Sequence, residues 1–114
     1  MTSTTWLLRD GEVLANAEVA RTSGERMRGL LGRSGFEGAF LLPRTHAVHT
    51  LGMRFAIDVA FLDRRLRVMD TVCVGPWRAT VPRWRARWVL EAEAGAFDRW
   101  GLRVGDTLEL RDPT

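Results

Sequence analysis

The chain has 114 residues, 46% of them hydrophobic and 27% charged, with a net charge of +3 and a pI of about 10.8. That length holds one domain, residues 1–114, excludes a second, and lets a core form without staples. One cysteine, Cys73, excludes an internal disulfide, and no apolar run nears the roughly 18 to 20 residues that span a bilayer. The start, MTSTTWLLRDGE, lacks the pattern of an export signal, so a soluble cytoplasmic protein without a membrane partner is expected. All 17 basic residues are arginine. A GC-rich genome explains that bias better than a binding surface does, and arginine lifts the pI because it stays protonated where lysine titrates.

In chain order, Thr4 to Arg9 alternates weakly and meets Asp10-Gly11, a strong hairpin signal, so Glu12 to Ala20 is the expected return strand. Thr22-Ser23-Gly24-Glu25 reads as a capped helix start, with Met27, Leu30 and Leu31 at helical spacing through Arg33. Ala39 to Leu42 is a brief strand stopped by Pro43. An irregular segment over residues 43–53 leads into a strand at about Ile57 to Leu62. Asp63-Arg64-Arg65 turns the chain, and Leu66 to Val74 returns.

Gly75-Pro76 breaks the pattern. From Arg83 to Leu90 the residues alternate, Arg83, Arg85 and Arg87 against Trp84, Ala86, Trp88 and Leu90, which predicts a strand with tryptophans in the core. Ala96 to Trp100 is a single helical turn, and Asp106 to Leu110 a last strand. These short, closely spaced strands predict a mainly β fold, α+β at its margin. The expected form is a compact antiparallel β-barrel or sandwich with two short helices.

The rare residues cluster between Thr45 and Arg65. With a tight turn at Asp63 to Leu66, Asp58 is expected opposite Thr71, on a face with Ala60, Leu62, Met69 and Cys73. A carboxylate among apolar neighbours needs a partner, because an isolated buried charge costs several kcal/mol. Arg54, Arg78, the Thr71 hydroxyl or N–H groups of the preceding loop are the candidates. His46 and His49 stand at a spacing that joins their rings only in a helical turn, and zinc needs a third and usually a fourth ligand. Asp58 or Cys73 would have to supply it, and no second ligand pair has metal-like spacing. Met53 suits only a soft metal. A Cys73–His49 nucleophile pair is disfavoured because an apolar setting and Asp58 both raise a thiol pKa.

Four motifs resemble one known family when taken together. They are HTLGMRFAIDVAFLD (His49 to Asp63), GPWR (Gly75 to Arg78), VLEAEAG (Val89 to Gly95) and GLRVGD (Gly101 to Asp106), preceded by VARTSGERMRGLLGR (Val19 to Arg33). Together they resemble domain-of-unknown-function family 192, a group of small prokaryotic proteins, over nearly the whole chain. The chain departs from the family pattern at Leu51-Gly52 and at Ala56. The resemblance implies a compact β-rich fold and no particular reaction.

The expected function is that of a small soluble ligand-binding or accessory domain, without a cofactor. Its cleft is expected between the His46–Arg54 segment and the Trp77-Arg78 loop, using His46, His49, Thr50, Met53, Arg54, Asp58, Trp77, Arg78 and Glu91. Glu91 is expected to pair with one of the nearby arginines. An alternative is metal-assisted hydrolysis through His46, His49 and Asp58. A third is binding of nucleic acid or another anionic partner through Arg83, Arg85 and Arg87, which the inward-facing tryptophans disfavour.

Overall fold

The computed structural model describes residues 3–22, 24–26 and 37–112. Seven strands and one complete helix follow in order: β1 (Ser3–Arg9), β2 (Glu12–Val19), β3 (Ala39–Pro43), β4 (Ile57–Leu62), β5 (Val68–Val74), β6 (Trp88–Glu93), α1 (Ala96–Trp100) and β7 (Glu109–Arg111). Residues 24–26 are helical, and the Thr22 hydroxyl accepts the Glu25 N–H at 3.1 Å, as a cap should. The rest of that expected helix, with Met27, Leu30 and Leu31, lies outside the described residues.

The strands form one sheet in the order β5-β4-β6-β3-β2-β1-β7. It is mainly β as expected, but mixed rather than purely antiparallel, and it is not closed into a barrel. β2 and β3 run parallel, with Ala17 opposite Ala39 and Val19 opposite Leu41, because the long connection between them allows a crossover. The two sheet edges touch at one end only. There the Val68 N–H donates to Asp106 O, the Leu108 N–H to Leu66 O, and the Gly105 N–H to Val68 O.

Hairpin chemistry sets the outer strands. Asp10 and Gly11 have φ of 52° and 79°, the pair of positive values a two-residue type I′ turn demands. Between β4 and β5 a bulge at Phe61/Leu62 shifts the register, so Asp58 pairs with Cys73 and Ala60 with Thr71. The expected pairing of Asp58 with Thr71 is two residues out. The turn is one residue longer than expected, with Leu62 opposite Val68, and the bulge adds a second residue that a period-two pattern does not reveal. The longer turn also moves Val68 to the face of Leu62.

Both faces of the sheet are covered. Leu7, Leu41, Ala60, Leu62 and Leu90 pack with Phe97 of α1 and Leu102 on one side. Phe40, Leu42, Ile57, Val59, Phe61 and Val89 pack with Val48 and Met53 of the irregular segment on the other. All six β4 residues are therefore buried, the pattern of a central strand covered on both sides. Burying side chains such as Phe61 or Ile57 stabilises the fold by roughly 1.5–3 kcal/mol each.

The expected strand from Arg83 does not form. The chain turns at Trp84-Arg85, closed by the Ala86 N–H donating to Arg83 O at 2.9 Å, and β6 starts only at Trp88. Trp84 is 73% exposed instead of buried, and Trp88 is partly buried against the core. Upstream, residues 46–50 run antiparallel to 78–83, with His46 O accepting from the Arg83 N–H and Val48 O from the Thr80 N–H. That pairing takes the Arg83 N–H, while the Arg87 N–H still donates to Leu62 O at 2.8 Å.

Candidate functional site

The parallel pair β2 and β3 creates a crevice. Both strands end on the same side of the sheet, and beyond them the chain departs in different directions, as at the carboxyl ends of parallel strands in open sheets. Residues 20–22 follow β2 and residues 44–45 follow β3. Between them lies a cleft of about 350 Å³, completed by Arg26, Leu42, Val48 and His49. Its apolar wall is the outer layer of the core, through Ala20, Leu42 and Val48.

The polar side is basic. Arg21 and Arg44 are exposed, and neither guanidinium makes an ion pair or hydrogen bond with a described residue. No Asp or Glu lines the cleft among the described residues. Arg44 holds φ of 52°, fixed by its N–H donating to Arg87 O at 2.6 Å. Thr22 and Thr45 contribute hydroxyls, the latter anchored on Pro43 O at 2.9 Å. His49 accepts the Leu51 N–H at its Nδ1, 3.2 Å away, which leaves Nε2 as its donor.

Arg26 links this cleft to a buried carboxylate. Its Nε meets both Glu91 oxygens at 2.8 and 3.0 Å, and its Nη2 meets Oε2 at 2.6 Å. The side chains are 4% and 0% exposed. Burial pushes the Glu91 carboxyl above its ordinary range, and Arg26 pulls against that rise. Glu91 therefore pairs with Arg26, not with Arg78, Arg83, Arg85 or Arg87. The partner arrives through the 20–38 crossover, which no local pattern around Glu91 announces.

The structure scatters the other expected site residues. Thr50 is fully buried and structural: its hydroxyl donates to Gly75 O at 2.5 Å and accepts the Arg78 N–H at 2.9 Å. It thereby clamps the Gly75–Arg78 turn, in which Trp77 sits at φ 59° and 67% exposed. The loops expected to flank a cleft are joined at this point by backbone bonds, the Thr50 N–H donating to Arg78 O and the Trp77 N–H to Thr50 O. Met53 is 1% exposed and belongs to the core, whereas the Arg54 and Arg78 side chains are exposed. His46 packs its ring 5.4 Å from that of Trp84, and its buried Nδ1 has no hydrogen-bond partner among the described residues.

Asp58 lies elsewhere. Its Oδ2 accepts the N–H groups of Gly95 at 3.0 Å and Phe97 at 3.1 Å, which ties β4 to the start of α1. The partner is backbone N–H, as one expectation had it, but from the segment after β6 rather than the preceding loop. This face is opposite the one covered by the histidine segment, so His46, His49 and Asp58 do not converge. No group of three metal-ligating side chains forms among the described residues. Cys73 is exposed on edge strand β5 rather than buried, far from a base role for His49. Its thiol is raised by desolvation, then by the charge and hydrogen bonding of Asp58.

Of the nine expected residues, His49 lines the cleft and Glu91 reaches it through Arg26. Arg21, Thr22, Arg44 and Thr45 were missed. Their signal is positional, since each lies within three residues of a strand end, but only knowledge that those strands are parallel neighbours gives it meaning.

Fold and cleft define a small mixed-sheet domain with an arginine-rimmed crevice at the ends of two parallel strands. The family model DUF192, described as "Uncharacterized ACR, COG1430", matches residues 6–110, and the chain belongs to this family. The UPF0127 protein of Pyrococcus furiosus is 42% identical over 74 residues, covering 61% of this chain and 64% of the relative. That of Thermococcus sibiricus is 34% identical over 98 residues, covering 81% of this chain and 64% of the relative. The chain thus spans 64% of the length of these curated relatives, whose names assign no activity.

Among solved structures, a protein of unknown function from Novosphingobium aromaticivorans DSM 12444 superposes with a TM-score of 0.73 at 24% identity, over 95% of this chain and 84% of that one. A Sinorhizobium meliloti 1021 protein, provisionally described as a transcription regulator, gives 0.78 at 20% identity, over 96% and 94%. At these identities the likeness shows the fold alone. No helix among the described residues is long and apolar enough to cross a membrane.

Proposed function

We propose that the chain is a small-ligand-binding or accessory domain, active in the cytoplasm, whose cleft takes a small anion. The observation that supports this reading is the pair of exposed guanidiniums, Arg21 and Arg44, which make no ion pair or hydrogen bond with a described residue, on a cleft with no lining carboxylate among the described residues. Guanidinium presents parallel donors that match a carboxylate or phosphate edge. His49 and the Thr22 and Thr45 hydroxyls supply further polar contacts, and Ala20, Leu42 and Val48 offer an apolar wall. The cleft is at the small end of ligand pockets, which run to roughly 300–1,000 Å³. The exposed free thiol of Cys73 accords with a reducing compartment.

A thermal-shift screen against mono- and dicarboxylates and phosphate monoesters, followed by calorimetry, tests the reading. At least one such anion should raise Tm, and Arg44→Ala or Arg21→Ala should weaken its binding about tenfold or more, as loss of a charge-assisted bond implies. If no anion shifts Tm, or if both variants bind as well as the parent, the cleft is not a ligand site.

A further inference from the structure

A second basic surface lies away from that cleft. Asp63, Arg64, Arg65 and Arg67 at the β4–β5 turn, Arg85 and Arg87 before β6, and Thr107 surround an open recess of about 640 Å³. All five arginines are exposed. None of their guanidiniums makes an ion pair or hydrogen bond with a described residue. The one acid, Asp63, spends Oδ1 on the Arg65 and Arg67 backbone N–H groups, at 2.8 and 3.0 Å. Five like charges held around one recess repel one another, and the single Asp63 carboxylate leaves four of them unbalanced.

The neighbouring aromatic decides what kind of anion fits. Trp84 and Arg85 form the tip of one turn, and Trp84 is 73% exposed. The turn is pinned on both sides. The Ala86 N–H closes it on Arg83 O, and the Arg83 guanidinium bonds Asp70 Oδ2 at 2.9 and 3.1 Å while lying over the Phe61 ring at 4.6 Å. Arg83 is therefore occupied in holding the turn and is not among the free cations. Of the two tryptophans expected to face inward, Trp88 does pack against the core, but Trp84 faces solvent, because the strand that would have turned it inward does not form.

We propose that the recess of Arg64, Arg65, Arg67, Arg85 and Arg87, with Trp84 beside it, binds single-stranded nucleic acid. The guanidiniums would neutralise backbone phosphates while Trp84 stacks on an unpaired base. An acidic peptide would satisfy the arginines and leave unused the solvent-exposed part of the indole that the His46 ring does not cover. A duplex keeps its bases stacked internally and likewise leaves Trp84 unused.

Fluorescence anisotropy with labelled dT12, a dT12·dA12 duplex and deca-glutamate tests this. The dT12 strand should bind at low salt, with log K falling against log salt at a slope approaching about −3.5 if all five arginines engage phosphate. Arg64→Glu/Arg85→Glu should weaken dT12 binding more than tenfold, and Trp84→Ala roughly fivefold to a hundredfold, as loss of one base stack implies. Far-UV circular dichroism and Tm confirm that these surface variants fold. Arg21→Ala/Arg44→Ala should leave dT12 binding intact, which keeps the test independent of the anion cleft. The proposal is overturned if dT12 fails to bind, or if duplex or deca-glutamate binds equally well. It is also overturned if Trp84→Ala binds dT12 like the parent.

Discussion

Breaking the Arg26–Glu91 pair should destabilise the domain more than any other single polar change. Its side chains are 4% and 0% exposed and joined through three contacts of 2.6 to 3.0 Å. Removing one member strands a charge where water cannot reach it, which costs about 3–5 kcal/mol. A domain of this size is stable by only about 5–15 kcal/mol in total. With a urea m-value of about 1.5 kcal/mol/M, Glu91→Leu or Arg26→Met should lower the unfolding midpoint by roughly 2–3 M. The double variant replaces both charges with apolar groups of similar length. It should cost far less than the sum of the singles, because neither desolvated charge remains. Urea titrations followed by tryptophan fluorescence give all three midpoints. Singles costing under about 1 kcal/mol each, with an additive double, would refute the claim that the pair is desolvated and coupled.

Other variants probe the scaffold. Thr50→Val deletes the hydroxyl that joins Gly75 O to the Arg78 N–H, leaving two groups unpaired, and should cost about 1–3 kcal/mol in urea unfolding. Gly38→Ala meets two obstacles, a φ of +81° and a new Cβ 2.7 Å from the Asn16 carbonyl oxygen. A loss of at least about 2 kcal/mol, read as a lower Tm, is expected. Asp58→Ala removes the acceptor for Gly95 and Phe97 and should cost about 1–2 kcal/mol, while Asp58→Asn keeps an acceptor oxygen and costs less. In the same Asn variant, the pH midpoint of Cys73 alkylation by iodoacetamide should fall. Asp58 raises that thiol, so removing its charge makes thiolate available at lower pH; an unmoved midpoint counts against the contact.

Local chemistry made much of this fold legible. Asp10-Gly11 announced its hairpin, Thr22 its cap, and Ala96 to Trp100 its helical turn, since each depends on residues within a few positions. Three features depended on partners far along the chain and were not legible. The parallel pairing of β2 and β3, the longer turn and bulge that together set Asp58 against Cys73, and the Arg26–Glu91 pair all require the assembled sheet. Arg83 to Arg87 misled for a different reason. A period-two pattern fits a strand and also fits a turn whose charged residues face water, and the backbone pairing of residues 46–50 with 78–83 decided for the turn. The candidate cleft was half legible for the same cause, with His49 found and Arg21 and Arg44 overlooked.

The contact between the two sheet edges also bears on how the chain comes together as it is synthesised. The hairpins β1–β2 and β4–β5 are built from neighbours and can form as soon as their own residues emerge. The seam that joins Leu66 and Val68 to residues 105–108, and the docking of β7 on β1, need a stretch made much later. Until residues 105–111 have been added, β1 keeps an open side and β5 lacks the bonds at Val68. An unpaired strand flank invites pairing with another chain. The last stretch thus acts as a latch on the earliest strand, and the sheet reaches its finished form only when that latch has been translated.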